Sequence, residues 1–193
     1  MSPVIVFEGL DGAGKSTLAR AVGDRLDAVM LRTPGPEFSD FRARLDLLMD
    51  DHPRARQLLY AATVALCSDQ ARLAVNHGRA VVIDRYLAST QVYAGLRGTP
   101  LSLLEFARDL VKPDLTVFVV CEDEVRRQRM AARGVFTAED ERSLQSAAAL
   151  RSAYLKELDG EVLVLDSTNE GVGSLTERVL ARLHAPANPS LWR

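Results

Sequence analysis

The stretch VIVFEGLDGAGKST, from Val4 to Thr17, decides the fold of this chain. Its centre, Gly9 to Ser16, fits the pattern G-x-x-x-x-G-K-S/T of a phosphate-binding loop. A short apolar run at Val4–Phe7 precedes the loop and a helical stretch at Ser16–Leu26 follows it, which is the context that this motif requires. Glycines let consecutive backbone N–H groups surround phosphate oxygens, and the positive end of the helix adds to the attraction. The pattern therefore predicts a site for a nucleoside triphosphate.

The loop also predicts how a donor nucleotide and its metal ion would be held. Lys15 can reach the β- and γ-phosphates, and the hydroxyl of Ser16 can bind Mg²⁺. We expect ATP to contact the whole loop: Gly9, Gly12, Ala13, Gly14, Lys15, Ser16 and Thr17. A glycine-rich turn that arose by chance is the alternative, and the strand and helix on either side argue against it.

The composition is that of one globular domain. The chain has 193 residues, of which 47% are hydrophobic and 26% charged, and these values are ordinary for a single core. A net charge of −2 argues against a nucleic-acid-binding surface, and no run of residues has the length of a membrane span or the form of a secretion signal. Two cysteines without metal or redox spacing suggest buried thiols. We therefore expect one cytoplasmic domain, residues 1–193, without nucleic-acid or membrane partners.

Strands and helices alternate along the chain. The short apolar runs are continuous rather than alternating, which is typical of strands that are covered on both faces of a parallel sheet. These predicted strands are Val4–Phe7, Ala28–Leu31, Ala80–Ile83, Leu115–Val120 and Val162–Leu165. The predicted helices are Ser16–Leu26, Phe38–Met49, Ala55–Val75, Leu101–Val111, Glu124–Ala132, Ala138–Leu158 and Leu175–Leu183. The fold class is therefore α/β, with a five-stranded parallel sheet between two layers of helices.

A second informative stretch, AVVIDRYLASTQVYAG, runs from Ala80 to Gly95. Its buried strand ends in Asp84, and Arg85 follows at once. Ligands of parallel sheets bind at the carboxyl ends of the strands, so both residues should lie near the phosphate loop. Asp84 could hold a Mg²⁺-bound water, and Arg85 could hold a second phosphate with its two-pronged guanidinium. The alternative is an ordinary ion pair between Asp84 and Arg85 at a strand end.

Several motifs together resemble the thymidylate kinase family of nucleoside monophosphate kinases over nearly the whole chain. They are FEGLDGAGKST, LRTPGP, DRYLASTQVYAG, KPDLTVFV, EVRRQRMAARG and LRSAYL, in the order and spacing of the family. The resemblance implies a three-layer P-loop kinase fold with a short lid at about residues 133–142. It also implies ATP and Mg²⁺ as cofactors, a deoxynucleoside 5′-monophosphate as acceptor, and a homodimer.

The resemblance implies an acceptor site as well. Asp11 would meet the 3′-hydroxyl of the acceptor sugar, and Tyr93 would press against C2′ and disfavour ribonucleotides. The other implied contacts are Arg32 and Arg85 for the acceptor phosphate, with Arg42 or Arg44 assisting, and Thr90 and Gln91 for the base. Asp11 could instead cap the following helix, and Tyr93 could be a core aromatic.

The implied mechanism requires alignment and positive charge rather than a general base, because a nucleoside 5′-phosphate is already an anionic nucleophile. Lys15 would supply charge on the donor side and Arg85 on the acceptor side. The phosphate loop lacks the arginine that one branch of the family carries there. The remaining charge should therefore come from the lid, as in the other branch, with Arg129 and Arg133 as the candidates.

The lid departs from the family pattern. The family's Asp-Arg falls on Thr137-Ala138, so one lid arginine is missing, although Arg142 could replace it. Arg126 and Arg127, in the helix before the lid, could serve the site or could equally be a charged, solvated helix face.

The base pocket departs from the family as well. The family has a Phe in the helix before the Asp-Arg strand, with an Arg four residues later that contacts the thymine carbonyl. Here Tyr60, or Leu59 instead, would cover the base, and Thr63 or Val64 stands in place of the arginine. A different or modified base is therefore an alternative to thymine.

The interpretation from sequence is an ATP- and Mg²⁺-dependent deoxynucleoside monophosphate kinase, with thymidylate as the leading substrate. Two further alternatives stay open. One is a nucleoside kinase that acts on a sugar hydroxyl and needs a carboxylate as general base. The other is a nucleotide-binding protein with little or no turnover.

Overall fold

The five predicted strands form one parallel sheet. The computed structural model describes residues 2–98, 100–134, 136 and 138–185, without the side chains of residues 39, 41–43, 138 and 139. The strands are β1 Val4–Gly9, β2 Val29–Arg32, β3 Val81–Asp84, β4 Leu115–Val120 and β5 Val162–Asp166, in the spatial order β2-β3-β1-β4-β5. This sheet, with helices on both faces, confirms the predicted fold class.

The central strand β1 carries the core of both layers. Ile5 and Phe7 pack in one hydrophobic cluster, while Val4 and Val6 pack in another on the opposite face of the sheet. All four side chains are almost fully buried, and burial of each contributes roughly 1.5–3 kcal/mol. A strand that is apolar on both faces has to lie inside the sheet, which is why the uninterrupted run VIVF forms its centre.

Nine helices lie in the described part of the chain. They are α1 Lys15–Leu26, α2 Ser39–Leu48, α3 Pro53–Asn76, α4 Leu87–Leu96, α5 Leu104–Arg108, α6 Asp123–Ala131, α7 Ala138–Gln145, α8 Ala147–Glu157 and α9 Val172–His184. None of these helices is long and apolar enough to cross a membrane. The cluster around Ile5 and Phe7 packs against α1 and α9. The cluster around Val4 and Val6 packs against α3.

Helix α4 is absent from the sequence prediction, and a buried carboxylate explains its start. Glu8 of β1 accepts hydrogen bonds from the backbone N–H groups of Tyr86, at 2.9 Å, and Ser89, at 3.2 Å. These are donors of the first turn, which have no partner inside a helix. The cap therefore comes from a residue 78 positions away in the chain, and no local pattern around Leu87 signals it.

Two further helix predictions were partly wrong. The predicted helix Ala138–Leu158 breaks at Ser146 into α7, which packs against α6, and α8, which packs against α4. The predicted helix Leu101–Val111 is only the short α5. Its first residues are not helical because the backbone of Leu101 is bound at both N–H and C=O by the side-chain amide of Gln57, at 2.6 and 3.0 Å.

The sheet order brings the informative stretches together. Strand β1 pairs with β3 on one side and with β4 on the other, and Phe7 lies opposite Asp84 in the register. The backbone N–H of Arg85 donates to the Phe7 carbonyl at 3.0 Å, which extends the pairing by one residue. The carboxyl ends of β1 and β3 are therefore adjacent, as the sequence predicted, and the phosphate loop leaves the sheet beside Asp84 and Arg85.

Candidate active site

The phosphate loop connects β1 to α1 and its glycines have left-handed backbone conformations. Gly9, Gly12 and Gly14 have φ values of 136°, 80° and 88°. A Cβ on Gly9 would lie 2.3 Å from the carbonyl oxygen of Val119, and one on Gly12 would lie 2.8 Å from that of Arg126. Gly14 is the N-cap of α1 and makes no side-chain cap. Gly14 therefore leaves the first N–H groups of α1 open to an anion, while Gly9 and Gly12 make room for β4 and α6.

Lys15 is buried beneath this loop. Its side chain is 4% exposed, and its Nζ donates to the carbonyl of Leu10 at 2.7 Å. Burial, followed by repulsion from Arg85, lowers the pKa of Lys15 to about 7, against the attraction of Asp11. The next two residues, Ser16 and Thr17, are exposed at the first turn of α1.

A cleft of about 460 Å³ opens above the loop. The predicted site residues that line it are Asp11, Gly12, Gly14, Lys15, Ser16, Thr17, Arg32, Tyr60, Asp84, Arg85, Thr90, Tyr93 and Arg133. These residues come from the phosphate loop, from the ends of two strands, from two helices and from the segment after α6. The fold therefore gathers donor-side and acceptor-side candidates around one cavity.

Some predicted site residues are not among those that line the cleft. Gly9 and Ala13 are buried under the loop, and Arg44 is exposed on α2. Gln91 contacts a residue that does line the cleft: its Oε1 accepts a hydrogen bond from Nε2 of Gln57 at 2.9 Å. The side chain of Arg42 lies outside the described residues, as does Thr137 of the lid.

Asp11, Arg85 and Tyr93 form a compact polar cluster on the wall of the cleft. Arg85 forms an ion pair with one carboxylate oxygen of Asp11, and the Tyr93 hydroxyl donates to the other at 2.6 Å. Burial raises the pKa of Asp11, but the charges of Arg85 and Lys15 outweigh that effect and hold it well below its usual range. Asp11 is therefore not the cap of α1, because the N-cap is Gly14.

A buried network supports Arg85 from below. One of its guanidinium nitrogens, Nη1, donates to Ser89 Oγ at 3.2 Å and approaches the Tyr154 hydroxyl at 3.5 Å. The Ser89 hydroxyl donates in turn to Glu8 at 2.5 Å. Arg85 itself has a φ of 70°, so its backbone is in the left-handed region that non-glycine residues rarely adopt. Its guanidinium is thus placed by several contacts on three elements, and sequence reasoning identified none of these supporting residues.

Asp84 does not pair with Arg85. Its Oδ1 is buried and, within the described part of the chain, has no hydrogen-bond partner. Asp84 and Ser16 both line the cleft next to Lys15. No group of three or more His, Cys, Asp or Glu side chains in the described residues could hold a metal ion. A carboxylate oxygen without a partner beside a hydroxyl fits Mg²⁺ that takes its other ligands from phosphate oxygens and water.

Helices α3 and α4 form the side of the cleft where the base is predicted to lie. Tyr60 and Thr90 line the cleft there, and their contact with a base stays a prediction. The Tyr60 hydroxyl donates to Asp46 at 3.0 Å. Gln57 and Arg97 line the cleft too and were missed. Helical spacing could have found both, because Gln57 is one turn before Tyr60 and Arg97 is one turn after Tyr93.

Thr63 and Val64, one of which stands where the family has its base-contacting arginine, do not line the cleft. The Thr63 hydroxyl donates to the backbone carbonyl of Tyr60 at 2.7 Å, within its own helix. Val64 is fully buried in the cluster on the α3 face of the sheet. Leu59 lines a separate cavity of only about 10 Å³. On this stretch of α3, Tyr60 and Gln57 are the side chains that reach the cleft.

Arg127, Arg129 and Arg133 have three different environments. Arg133 is exposed and lines the cleft. Arg129 lies beside Gly14 and donates to the hydroxyl and carbonyl of Ser167, at 2.9 and 2.8 Å. Arg127 is 54% exposed and, among the described residues, forms an ion pair only with Glu124, at 3.9 Å, so it belongs to a solvated face.

Arg126 belongs to no solvated face. It is fully buried under the phosphate loop, where its Nε donates to the backbone carbonyl of Asp11 at 2.8 Å. Ordinary spacing rules place it on a polar helix surface, and no local signal shows that the loop covers it.

A phosphate loop at the end of β1, facing an arginine-rich acceptor cleft in a five-stranded parallel sheet, defines a P-loop kinase of the nucleotide-phosphorylating class. The sequence model of the family described as Thymidylate kinase matches residues 7–179. The chain belongs to the thymidylate kinase family and is a nucleoside monophosphate kinase.

Curated relatives agree with this assignment over most of their length. A thymidylate kinase of Pelodictyon phaeoclathratiforme is 32% identical over 205 residues, covering 93% of this chain and 94% of the relative. A thymidylate kinase of Pelotomaculum thermopropionicum is 35% identical over 167 residues, covering 78% and 77%. These relatives do not favour the alternatives of another base or of a nucleotide-binding protein without turnover.

Solved structures share the fold. The thymidylate kinase of Candida albicans superposes with a TM-score of 0.70 at 21% identity, covering 94% of this chain and 91% of that one. The deoxyadenosine kinase of M. mycoides with bound dATP gives 0.69 at 16% identity, covering 95% and 100%. Identities this low support the fold alone.

Proposed function

We propose that this protein transfers the γ-phosphoryl group of ATP to the 5′-phosphate of thymidylate, dTMP, and forms the diphosphate. The observation that carries the proposal is the cluster of Asp11, Arg85 and Tyr93 opposite Lys15 in one cleft. Arg85 could bind a second phosphate and Asp11 a sugar hydroxyl, which suits a nucleotide as acceptor. Membership of the thymidylate kinase family indicates that this nucleotide is dTMP.

On the donor side, the loop would hold ATP through its backbone N–H groups and Lys15, and Ser16 with Asp84 would hold Mg²⁺. Bound Mg²⁺ would offset the negative charge that develops on the phosphate oxygens. Lys15 would move from the Leu10 carbonyl to the phosphates. Because the phosphates are anionic, they are a stronger partner for the ammonium than the neutral Leu10 carbonyl, and they would oppose the burial that lowers the pKa of Lys15 to about 7.

On the acceptor side, Arg85 would exchange part of its pairing with Asp11 for the monophosphate, and Arg32 would approach from the end of β2. Asp11 would then accept from the 3′-hydroxyl, and Tyr93 would close the space beside C2′. The cluster suits an anionic acceptor better than a nucleoside, because a carboxylate with so low a pKa is a weak general base.

The experiment that tests the proposal is a screen of nucleoside monophosphates, ribo and deoxy, for ATP-dependent formation of ADP and of the acceptor diphosphate. dTMP should give the highest kcat/KM, and activity should require Mg²⁺. Activity on nucleosides but not on their monophosphates would contradict the proposal, and so would the absence of turnover with every monophosphate.

Base discrimination should be weaker than an arginine contact would give. A buried arginine rejects a base that offers it no acceptor, whereas Thr63 is bound within its helix and Val64 lies in the core. We expect dTMP to be preferred over other deoxynucleotides by less than about a thousandfold in kcat/KM, which corresponds to about 4 kcal/mol. Discrimination against the ribonucleotides should persist, because Tyr93 acts by shape. A larger preference for dTMP would show that Thr90, Gln91 or a bound water reads the base.

The lid arginines should affect turnover more than acceptor binding. Arg133 lines the cleft, so Arg133→Ala should lower kcat at least about tenfold, as expected for a group that acts in the transition state. Its KM for dTMP should change less than about threefold. We propose the same role for Arg129, acting beside Gly14. Arg127→Ala is the matched control and should match the wild type, and a change confined to KM would contradict the proposal for Arg133.

We also propose that the protein is a cytoplasmic homodimer. Leu58, Leu66 and Leu73 lie along one side of α3 and are 53%, 40% and 60% exposed. An apolar row on a 24-residue helix is a surface that a second copy of the chain could cover. ATP and deoxynucleotides are available in the cytoplasm. Sedimentation of the wild type against Leu66→Glu tests the dimer.

A further inference from the structure

Arg126 connects three parts of the molecule from a fully buried position. Its Nε donates to the backbone carbonyl of Asp11 in the phosphate loop, at 2.8 Å. Its Nη1 donates to Asp123 at the start of its own helix, at 2.6 Å, and its Nη2 donates to the Ser143 hydroxyl of α7, at 3.1 Å. A buried charge is costly unless its geometry and hydrogen bonds are good. All three nitrogens of this guanidinium are satisfied, so its arrangement is strongly determined.

Ser143 joins helix α7 to Arg126. Its side chain is buried and is directed at Arg126. At the other end of the Arg126 contacts, the carboxylate of Asp11 pairs with Arg85. Tyr93 donates to the Asp11 carboxylate at 2.6 Å. Arg126 therefore contacts both Ser143 and Asp11, and Asp11 in turn contacts Tyr93.

Neither Arg126 nor Ser143 is among the residues that line the cleft. Arg126, however, fixes the main chain of Asp11, whose carboxylate would meet the acceptor sugar and accepts from the Tyr93 hydroxyl. Ser143 fixes the other end of the same guanidinium. A displacement of either group would move the carboxylate and the phenol relative to Arg85, and a small error in such a pocket is expressed in binding and specificity.

We propose that Arg126 and Ser143 are positioning residues that tie helix α7, the continuation of the lid, to the acceptor sugar pocket. This inference rests on the proposed function, since it assigns the cluster of Asp11 and Tyr93 to the acceptor. Seating of α7 and formation of the sugar pocket are then one event, because the same guanidinium holds the loop carbonyl and the serine of α7.

The test compares Ser143→Ala and Arg126→Lys with Arg127→Lys, an exposed control on the same helix. The alanine removes one hydroxyl, and the lysine keeps the charge but has a single nitrogen, which cannot replace the three that contact Asp11, Asp123 and Ser143. Loss of a hydrogen bond to a charged donor corresponds to about a tenfold change. We therefore expect the KM for dTMP to rise at least about fivefold in Ser143→Ala and more in Arg126→Lys, with the KM for ATP within about twofold of the wild type. Arg127→Lys should match the wild type.

A second readout separates positioning from mere stability. If Ser143 and Arg126 hold Asp11, and with it Tyr93, against the acceptor sugar, the preference for dTMP over its ribonucleotide counterpart should fall at least about threefold in Ser143→Ala. A variant that unfolds at a lower temperature but keeps the wild-type KM and deoxy preference would overturn the inference. If Arg126→Lys does not fold, Ser143→Ala decides the matter.

Failure of the proposed function is distinguishable from failure of this inference. A wild type that phosphorylates no monophosphate contradicts the function. Calorimetry of dTMP binding to the wild type and Ser143→Ala then still tests the positioning role. Equal affinity in the two proteins would exclude it, and weaker binding in the variant would support it.

Discussion

Lys15→Met is expected to lower kcat by at least about a hundredfold while the protein stays folded, as for the loss of other electrostatic stabilisers of a transition state. Methionine has nearly the length of lysine and keeps the packing under the loop, but it removes the ammonium that would neutralise the transferring phosphate. Steady-state kinetics with ATP and dTMP measure the loss. Near-normal turnover would contradict the assignment of the loop as the donor site.

The burial of Lys15 adds two controls to this experiment. Its pKa of about 7 is below that of a lysine in an unfolded chain. Lys15 therefore lowers the free energy of unfolding by its full amount below pH 7, and this destabilisation is lost as the pH rises from about 7 toward 10. The melting temperature of Lys15→Met at neutral pH should therefore be no lower than that of the wild type. ATP would favour the charged form, so ATP affinity of the wild type should fall above about pH 7, by up to tenfold per pH unit, and the methionine variant should lack this fall.

Arg85→Ala is expected to weaken use of dTMP by about 2–5 kcal/mol, or roughly thirtyfold to several thousandfold in kcat/KM, as for the loss of a buried, hydrogen-bonded charge pair. The ATP affinity should change little, because the acceptor side of the cleft holds this guanidinium against Asp11, Ser89 and Tyr154. Calorimetry with each nucleotide separates the two effects. An equal loss of ATP affinity would assign Arg85 to the donor site or to the fold.

Arg85→Lys and Asp11→Asn show which part of this effect is geometric. Lysine keeps the charge but not the two-pronged contact, so its loss should be intermediate. Asp11 would be left buried without its main counter-charge in Arg85→Ala, and its pKa should rise. The double variant should therefore lose less than the sum of the two single variants.

The sheet and the phosphate loop were predictable from sequence because their signals are local. A continuous apolar run such as Val4–Phe7 is stable only inside a sheet, and the glycine pattern that follows it has few other uses. The juxtaposition of Asp84 and Arg85 with the loop followed from a general rule for parallel strands. Each of these inferences needed only residues that are close together in the chain.

The parts that sequence missed depend on distant partners. Helix α4 begins where it does because Glu8 accepts from its first turn. The start of the predicted helix at Leu101 is extended because Gln57 binds its backbone. Arg126 resembles any arginine on a polar helix until the loop is placed over it. In each case a buried polar contact overrides the local preference.

The contacts of Gly9 and Gly12 change how substitutions in the loop must be interpreted. Their missing Cβ atoms make room for Val119 of β4 and for the main chain of α6, and neither neighbour is part of a nucleotide. If replacing either glycine abolishes activity, the first cause to consider is therefore displacement of β4 or α6, and loss of a phosphate contact comes second. Two glycines of the motif that identifies this loop are therefore required by packing inside the protein. A chain that changed Gly12 could recover only through compensating changes in the helix that carries Arg126.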